Sequence, residues 1–171
     1  EPWEALCTFI ISQCNNIPRI RGITEKLCVL YGEPVVHEGE TRHAFPSAER
    51  IAALAPEDLE ALRCGYRAPY IIAAAKSVAA GEIDLGAVAE LPCGEARAEL
   101  KKLPGIGDKV ASCVMLFGMH RMDIFPVDVW IKKALRTHFR ADFEPDSLGP
   151  YAGLFQQYMF YYARSSGDCG L

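Results

Sequence analysis

The sequence has no long apolar run and no closely spaced pair of cysteines. Its longest apolar stretches are broken by proline, glycine or charge well before the ~18–20 residues that a membrane-spanning helix needs, so we expect no membrane partner. The seven cysteines, at positions 7, 14, 28, 64, 93, 113 and 169, include no Cys-x-x-Cys pair, which argues against a zinc or thioredoxin-like site. Scattered single thiols are typical of a reducing compartment and predict a cytoplasmic protein.

The chain also lacks a recognisable signal peptide and begins with Glu1 rather than Met, which is typical of a fragment or a trimmed chain. Its 171 residues suit one domain, or two small lobes, with a real hydrophobic core. No sustained alternation of apolar and polar residues predicts a sheet, and we expect residues 33–45 to be irregular. The predicted fold class is therefore all-α.

Helical signals run through most of the chain. Pro2 suits the first turn of one helix, and Asn15 or Asn16 is a candidate cap for a second helix that ends near Gly32. The later helices are predicted at about residues 95–103, 108–118, 128–139 and 148–164.

The net charge of −4 at first argues against a nucleic-acid partner, but the charges are unevenly distributed. Residues 101–140 contain eight Lys and Arg against three acids, a local charge of +5 that leaves −9 elsewhere. A basic stretch on an acidic body is compatible with a local phosphate contact. A solvated helix face would explain the same charges, so this pattern alone decides nothing.

The most informative segment is a glycine-rich turn between two predicted helices. Pro104 should end the first helix near residue 103, and Gly105 and Gly107 allow a tight turn on either side of the apolar Ile106. The free N–H groups that open the second helix then suit a phosphate oxygen, which positions DNA without reading bases. An ordinary helix–helix turn is the alternative. With Leu-Pro before it and Lys109 after it, the segment is the helix-hairpin-helix motif, at about residues 96–118.

Lys109 and Asp128 have complementary chemistry. Cutting a base from a sugar passes through a positively charged, oxocarbenium-like transition state, which a fixed carboxylate stabilises. A neutral amine can attack C1′ and form a Schiff base that permits strand cleavage by β-elimination; for this the lysine pKa would have to be depressed. As alternatives, Asp128 could be only a helix N-cap and Lys109 only a phosphate contact.

The hairpin, the lysine directly after it, and a Val-Asp pair whose Asp128 lies nineteen residues beyond Lys109 resemble the helix-hairpin-helix (HhH-GPD) DNA glycosylases. The resemblance implies a two-lobed helical glycosylase core over residues 1–171, with a DNA cleft between the lobes. It implies Lys109 as the nucleophile and Asp128 as the essential carboxylate. It also implies double-stranded DNA with a damaged base as the partner, and no metal or diffusible cofactor.

Two further segments resemble the 8-oxoguanine branch of this family in its contacts with DNA. In the Ser/Asn-rich loop, Asn15 and Asn16 would enter the gap left by the extruded base, and Arg19 would contact the orphaned cytosine. In the Gly-Tyr-Arg-Ala element, Tyr66 would wedge into the duplex, offsetting part of the cost of base flipping, and Arg67 would read the partner base.

A third resemblance concerns the pocket for the damaged base. Gln156 would bond the Watson–Crick edge of the flipped purine, Phe160 would stack on it, and Cys113, four residues after Lys109 on the same helical face, would pack on its other side. Taken singly, Tyr66 and Phe160 could be core aromatics, Cys113 a small buried residue and Gln156 a surface residue.

The sequence departs from the branch at several points. Cys14 stands where an inserted Asn is expected, although Asn15 and Asn16 are adjacent, and Trp130 replaces a His that contacts a phosphate in relatives. Full-length relatives carry an N-terminal β-rich domain, and the resemblance implies that residues 1–171 lack it. Relatives with an iron–sulfur cluster close with a four-cysteine run, whereas here only Cys169 lies in the final region, which argues against a cluster.

The expected function is removal of an oxidised purine, 8-oxoguanine opposite cytosine, by a bifunctional DNA glycosylase and AP lyase. We expect a monomer in the cytoplasm, associated with the nucleoid in a prokaryote. Two alternatives stay open: a glycosylase for another lesion, such as an oxidised pyrimidine, and a non-catalytic helix-hairpin-helix module that only binds DNA.

Overall fold

The computed structural model of the chain describes residues 1–165. The first half contains α1 (Pro2–Ser12), α2 (Ile17–Tyr31), β1 (Pro34–His37), β2 (Glu40–His43), α3 (Ala48–Ala52), a 3-10 helix (Pro56–Leu62) and α4 (Arg67–Ala79). The second half contains α5 (Leu85–Glu90), α6 (Cys93–Leu100), α7 (Asp108–Phe117), α8 (Val129–His138), a second 3-10 helix (Pro145–Tyr151) and α9 (Ala152–Ser165). The all-α prediction is confirmed, and no helix in the described range has the length and apolar character needed to cross a membrane.

Both predicted boundaries of α2 are confirmed, whereas the helix predicted at residues 95–103 ends earlier, at Leu100. Of the two candidate caps for α2, it is Asn16 that bonds the helix, its Oδ1 accepting from the backbone N–H of Arg19 at 3.0 Å. The same helix ends at Gly32, as expected. A Cβ on Gly32 would lie only 1.9 Å from the carbonyl oxygen of Ala44, so the chain can pass there only with glycine.

The expectation of an irregular segment at residues 33–45 is wrong. β1 and β2 form an antiparallel hairpin in which Val36 pairs with Thr41. Glu38 and Gly39 both have positive φ, 51° and 81°, as the two central residues of a type I′ turn require. Every strand residue is exposed except the half-buried His43, so no buried face imposes alternation on the sequence.

The described residues form two hydrophobic clusters, as expected for two lobes. The larger extends from Trp3 in α1 to Ile124 beyond α7, and α1 contributes some of its most deeply buried side chains, such as Leu6 and Ile10. The smaller cluster joins α8 to α9 through Ile131, Ala134, Met159 and Ala163. α8 and α9 therefore form a unit packed separately from the main core.

Gly153 connects this unit to the main core. Its N–H donates to the carbonyl of Met122 at 2.7 Å. A Cβ at this position would lie 2.5 Å from Cδ1 of Leu116 and 2.6 Å from the carbonyl oxygen of Ile124. Because only glycine permits this approach, α9 begins directly against α7 and the segment that follows it, and the side chains of these elements face a common space.

Candidate active site

The glycine-rich turn has the predicted hairpin geometry. Ile106 is buried, and its N–H donates to the carbonyl of Leu103 at 3.2 Å, which closes the turn. Gly105 has φ +79°, and a Cβ there would lie 2.5 Å from the ring of Tyr70, so conformation and space both require glycine. Gly107 precedes α7, whose N-terminus carries no side-chain cap. Uncapped N–H groups at this exposed end suit an anionic oxygen such as that of a phosphate.

Lys109 lies in the first turn of α7, and its side chain is exposed. No ion pair involves Lys109 in the part of the chain that the structure describes. Lys101, on the other side of the hairpin, differs in this respect: its Nζ lies 2.8 Å from Oδ1 of Asp108 and forms an ion pair across the hairpin. The Lys109 amine is therefore open to a ligand from solvent.

Asp128 is the N-cap of α8. Its Oδ1 accepts a hydrogen bond from the backbone N–H of Ile131 at 2.8 Å, as the capping prediction requires. The residue is half-buried, and its second oxygen, Oδ2, accepts no hydrogen bond within residues 1–165. The cap thus fixes the orientation of a carboxylate that keeps one oxygen for another partner.

Lys109 and Asp128 line the same cavity, which has a volume of about 500 Å³. Its walls come from the end of α1, the start of α2, α7, the start of α8 and α9. The other residues predicted to surround the damaged base also line it: Cys113, Gln156 and Phe160. The structure therefore brings together all five residues that the resemblance assigned to catalysis and to the base pocket.

Cys113 forms a buried part of this cavity wall, and both Lys109 and Asp128 act electrostatically on its thiol. Burial raises the pKa of its thiol from about 9 to about 11; the positive charge of Lys109 lowers the pKa and the carboxylate of Asp128 raises it. Since burial dominates, the thiol is neutral near pH 7. Cys113 therefore presents an apolar, polarisable surface to the cavity rather than a thiolate.

The amide of Gln156 is held on both sides. Only 4% of the residue is exposed, its Nε2 donates to the carbonyl of Pro126 at 3.0 Å, and its Oε1 accepts from the side chain of Gln157. One N–H of the amide group remains for a ligand. Phe160 is half-buried one turn further along α9, with the guanidinium of Arg164 5.7 Å from its ring centre. The cavity thus combines an aromatic face with an oriented amide.

The Asn-rich loop lies at the same cavity, but its side chains have other partners. Nδ2 of Asn15 donates to the carbonyl of Ile11 at 3.0 Å, and Asn16 caps α2. Cys14, between them and α1, is exposed and has φ 47°, a left-handed conformation. The insertion role predicted for Asn15 and Asn16 stays a prediction, and it would require each side chain to exchange its present partner.

Tyr66 and Arg67 differ in exposure. Tyr66 is 53% exposed, as a wedge must be, whereas Arg67 is only 4% exposed. The Arg67 guanidinium donates to the carbonyls of Gln13, Cys14 and Cys64, and it lies 4.5 Å from the ring centre of Tyr66. To read a base, Arg67 would have to leave these carbonyls, so this role also stays a prediction.

Arg19 is exposed beside this pair, with its Nη2 donating to the carbonyl of Arg63 at 2.9 Å. Neither Tyr66 nor Arg67 lines the cavity of Lys109. Tyr66 instead lines a second cavity, of about 570 Å³, between the first 3-10 helix and the start of α4. The residues assigned to the partner base therefore lie apart from those assigned to the excised base.

No group of three or more His, Cys, Asp or Glu side chains within residues 1–165 is arranged to hold a metal ion. Cys169, on which the argument against an iron–sulfur cluster depends, lies outside the described residues.

Sequence reasoning missed several residues of this region. Trp130, noted only as a departure, and Gln157 both line the cavity. Gln13 was not singled out at all, yet its side chain bonds the hairpin and its carbonyl bonds Arg67. Adjacent helix residues do not share a face, so the position of Gln157 directly after Gln156 gave no signal. Nothing in the spacing of Gln13 indicates contacts with distant segments either.

Comparison with known proteins agrees with this geometry. Residues 7–147 match the HhH-GPD superfamily of base excision DNA repair proteins. The chain is 31% identical to the Probable N-glycosylase/DNA lyase of Methanothermobacter thermautotrophicus, over 98% of this chain and 62% of that protein. MBOgg1 in complex with a low-affinity DNA ligand superposes with a TM-score of 0.91 at 38% identity, over 98% of this chain and 61% of the other.

A second similar structure is the Clostridium acetobutylicum 8-oxoguanine glycosylase/lyase in complex with double-stranded DNA containing cytosine opposite 8-oxoguanine. It has a TM-score of 0.87 and 33% identity, over 98% of this chain and 61% of the other. The chain thus spans about three fifths of the length of these relatives. Because the family match covers most of its length and its fold is that of these similar structures, the chain belongs to the HhH-GPD superfamily of base excision DNA repair proteins.

Proposed function

We propose that this chain carries the catalytic site of a DNA glycosylase and AP lyase that removes 8-oxoguanine opposite cytosine. The observation that carries the proposal is the shared cavity of Lys109 and Asp128, lined also by Cys113, Gln156 and Phe160. The names of similar proteins, an N-glycosylase/DNA lyase and an 8-oxoguanine glycosylase/lyase, support the same reaction.

Lys109 is the proposed nucleophile. Its neutral amine attacks C1′ of the damaged nucleotide as the bond to the base breaks, and the base leaves with the bonding electrons and takes up a proton. Loss of the amine protons and opening of the sugar ring then give a Schiff base, from which β-elimination cleaves the strand. The exposed position of Lys109 in the first turn of α7, at the rim of the cavity, gives its flexible side chain access to a nucleotide that enters from the duplex.

Asp128 is the proposed electrostatic partner. Positive charge develops on the sugar as the base departs, and a carboxylate that is already oriented stabilises this charge without reorganising. The cap bond from Ile131 supplies the orientation, and Oδ2 remains for the sugar. In this role Asp128 contributes the charge of its carboxylate and does not itself bond to the sugar.

The remaining cavity residues suit recognition of a flipped purine. The ring of Phe160 offers a stacking surface, and Cys113 offers a neutral, polarisable one. The Gln156 amide, held by Pro126, offers a directed N–H to the edge of the base. Exposed Arg19 supplies donors that match the acceptor atoms of an orphaned cytosine.

Borohydride trapping tests the proposal. The chain is incubated with duplexes that contain 8-oxoguanine opposite cytosine, an abasic site, an oxidised pyrimidine, or undamaged guanine, in the presence of borohydride. We expect a covalent adduct on the first two duplexes, because reduction traps the Schiff base. The adduct should vanish in Lys109→Gln and persist in Lys102→Gln, which removes an exposed lysine paired with Glu99 outside the cavity.

Each rival has its own outcome. An adduct that forms faster on the oxidised pyrimidine than on 8-oxoguanine would make the chain a glycosylase for another lesion. Binding of all duplexes with no adduct on any of them would make it a non-catalytic DNA-binding module. Either result would contradict the proposed substrate or the proposed chemistry.

A further inference from the structure

Three segments that are distant in the sequence meet at one residue, Gln13. Its side-chain Nε2 donates to the carbonyl of Gly105 in the hairpin at 3.1 Å. Its main-chain carbonyl accepts from Nε of Arg67 at 2.8 Å and from the hydroxyl of Tyr66 at 3.4 Å. These partners lie 92, 54 and 53 residues away along the chain, so local backbone structure does not hold them together.

Each of these segments has a separate task in the proposed function. The hairpin holds a phosphate, the loop that starts at Gln13 enters the duplex, and the turn that carries Tyr66 supplies the wedge. A phosphate contact positions a protein along the duplex but carries no base information. For the wedge and loop to enter at the correct nucleotide, their distance from the hairpin must be fixed.

The hairpin and wedge are also in contact through a second residue, Tyr70. Its ring packs against Gly105, where even a Cβ would lie only 2.5 Å from it, and it meets the ring of Tyr66 edge-on at 6.2 Å. Packing of this kind holds the two segments apart at a minimum distance but permits sliding. The directional contact between loop and hairpin is the Gln13 hydrogen bond.

We propose that Gln13 is a positioning residue that sets the register between the phosphate-holding hairpin and the base-contacting loop and wedge. The inference rests on the proposed function, because it assumes that these segments bind a damaged duplex. Gln13 touches no reacting atom in this scheme. It acts by transmitting the position of Gly105 to the segment that carries Cys14 and, through its carbonyl, to Arg67 and Tyr66.

The scheme separates two measurable quantities. Loss of the Gln13 side-chain bond should leave the phosphate contacts of the hairpin intact, so affinity for undamaged duplex should be preserved. Base extrusion requires loop and wedge to enter together, so the extruded fraction should fall. A residue that merely stabilises the fold would change both quantities or neither.

The test uses a duplex with an uncleavable abasic analogue next to 2-aminopurine, whose fluorescence rises when stacking is lost. Gln13→Met keeps the length of the side chain but removes the donor. We expect the fluorescence change at saturation to fall about fivefold, which is the effect on an equilibrium of losing one neutral hydrogen bond. Affinity for undamaged duplex, measured by anisotropy, should change by less than about twofold, which is smaller than that hydrogen-bond effect. As a control, Arg21→Met removes an exposed hydrogen bond to Glu25 on the same helix and should match the wild type in both assays.

Gln13→Glu provides a signature that a structural role would not produce. Its carboxylate cannot donate to the Gly105 carbonyl, whereas its protonated form can. The fluorescence change of Gln13→Glu relative to the wild type should therefore recover as the pH falls toward about 4 to 5, where glutamate takes up a proton. Gln13→Met should show no such recovery.

The possible failures are distinct. The positioning role would be overturned if Gln13→Met gave the same fluorescence change as the wild type. It would also be overturned if Gln13→Met lost affinity for undamaged duplex in proportion to its loss of fluorescence. A Gln13→Glu variant without recovery at low pH would overturn it too. A wild-type chain that binds neither duplex would instead refute the proposed function itself.

Discussion

Replacing Asp128 separates its two roles, because one oxygen caps α8 and the other is left for a ligand. Asp128→Asn keeps an acceptor oxygen in the position that bonds the N–H of Ile131, but removes the negative charge. Asp128→Ala removes both. The pair of variants therefore measures the charge and the cap independently.

The magnitudes follow from the geometry. Asn and Asp cap helices about equally well, so Asp128→Asn should leave the melting temperature within about 2 °C of the wild type. Loss of a cap costs about 1 kcal/mol, so Asp128→Ala should melt about 2–4 °C lower in a chain of this size. A unit charge about 4–5 Å from the developing cation, in an effective dielectric of about 20, contributes roughly 3–4 kcal/mol. Both variants should therefore excise 8-oxoguanine about 10²- to 10³-fold more slowly.

The assay is single-turnover excision on the 8-oxoguanine:cytosine duplex, with thermal melting and binding of the intact duplex measured in parallel. Single-turnover conditions isolate bond cleavage from product release. An Asp128→Asn variant that melts earlier and excises at the wild-type rate would refute the reasoning, because the residue would then be a cap alone. Equal rates for wild type and Asp128→Ala would refute it as well.

Three further predictions concern Gly153 and Cys113. Gly153→Ala should destabilise the chain by about 1–3 kcal/mol and slow excision, because its Cβ would clash with Leu116 and the Ile124 carbonyl. As a control in the same melting experiment, Gly22→Ala should be neutral or stabilising, because Gly22 lies inside α2 and a Cβ there would have no atom within 4 Å. The pKa of Cys113 is raised to about 11, so about one part in 10³ of its thiol should be thiolate at pH 8. It should therefore react with iodoacetamide far more slowly than exposed Cys14, which mass spectrometry of the labelled peptides would measure. Because that pKa is raised above about 9 by folding, wild-type stability relative to Cys113→Ala should be constant below pH 9 and fall as the pH rises from 9 to 11.

The sequence predicts best those parts of the site that short-range chemistry determines. Pro104 and Gly105 constrain the backbone within two residues, so the order of residues alone is enough to locate the hairpin. Asp128 follows a Pro-Val pair and precedes a helical run, which predicts its cap directly. The helix period then places Cys113 one turn beyond Lys109 on the same face.

The sequence predicts poorly whatever depends on contacts between distant segments. Arg67 was expected to read the partner base because the Gly-Tyr-Arg-Ala element resembles that of the 8-oxoguanine branch. It is buried because the carbonyls of Gln13 and Cys14, more than fifty residues away, converge on its guanidinium. No local pattern contains that information, and the same is true of the bond from Gln13 to Gly105.

The exposed β-hairpin was missed for a different reason. Periodicity indicates secondary structure only when one face is buried, and neither face of this hairpin is. The available signal was the turn itself, Glu38-Gly39 between segments with β-branched residues. That signal is weak, because type I′ turns favour Asn-Gly, Asp-Gly or Gly-Gly rather than Glu-Gly.

The two interpretations of Asp128 that the sequence left open, helix cap and catalytic carboxylate, turn out to be compatible. A carboxylate on a free side chain would lose rotational entropy each time it met a cation, and that loss would reduce the stabilisation it offers. The bond from Ile131 to Oδ1 removes that freedom in the folded protein, before any substrate arrives. An aspartate that caps a helix is therefore already oriented by the fold, and it loses no further conformational entropy during the reaction. Such prior orientation is what electrostatic catalysis requires. The Asn and Ala variants differ in stability only if this cap is real, and they share a slow reaction only if the charge acts on the sugar.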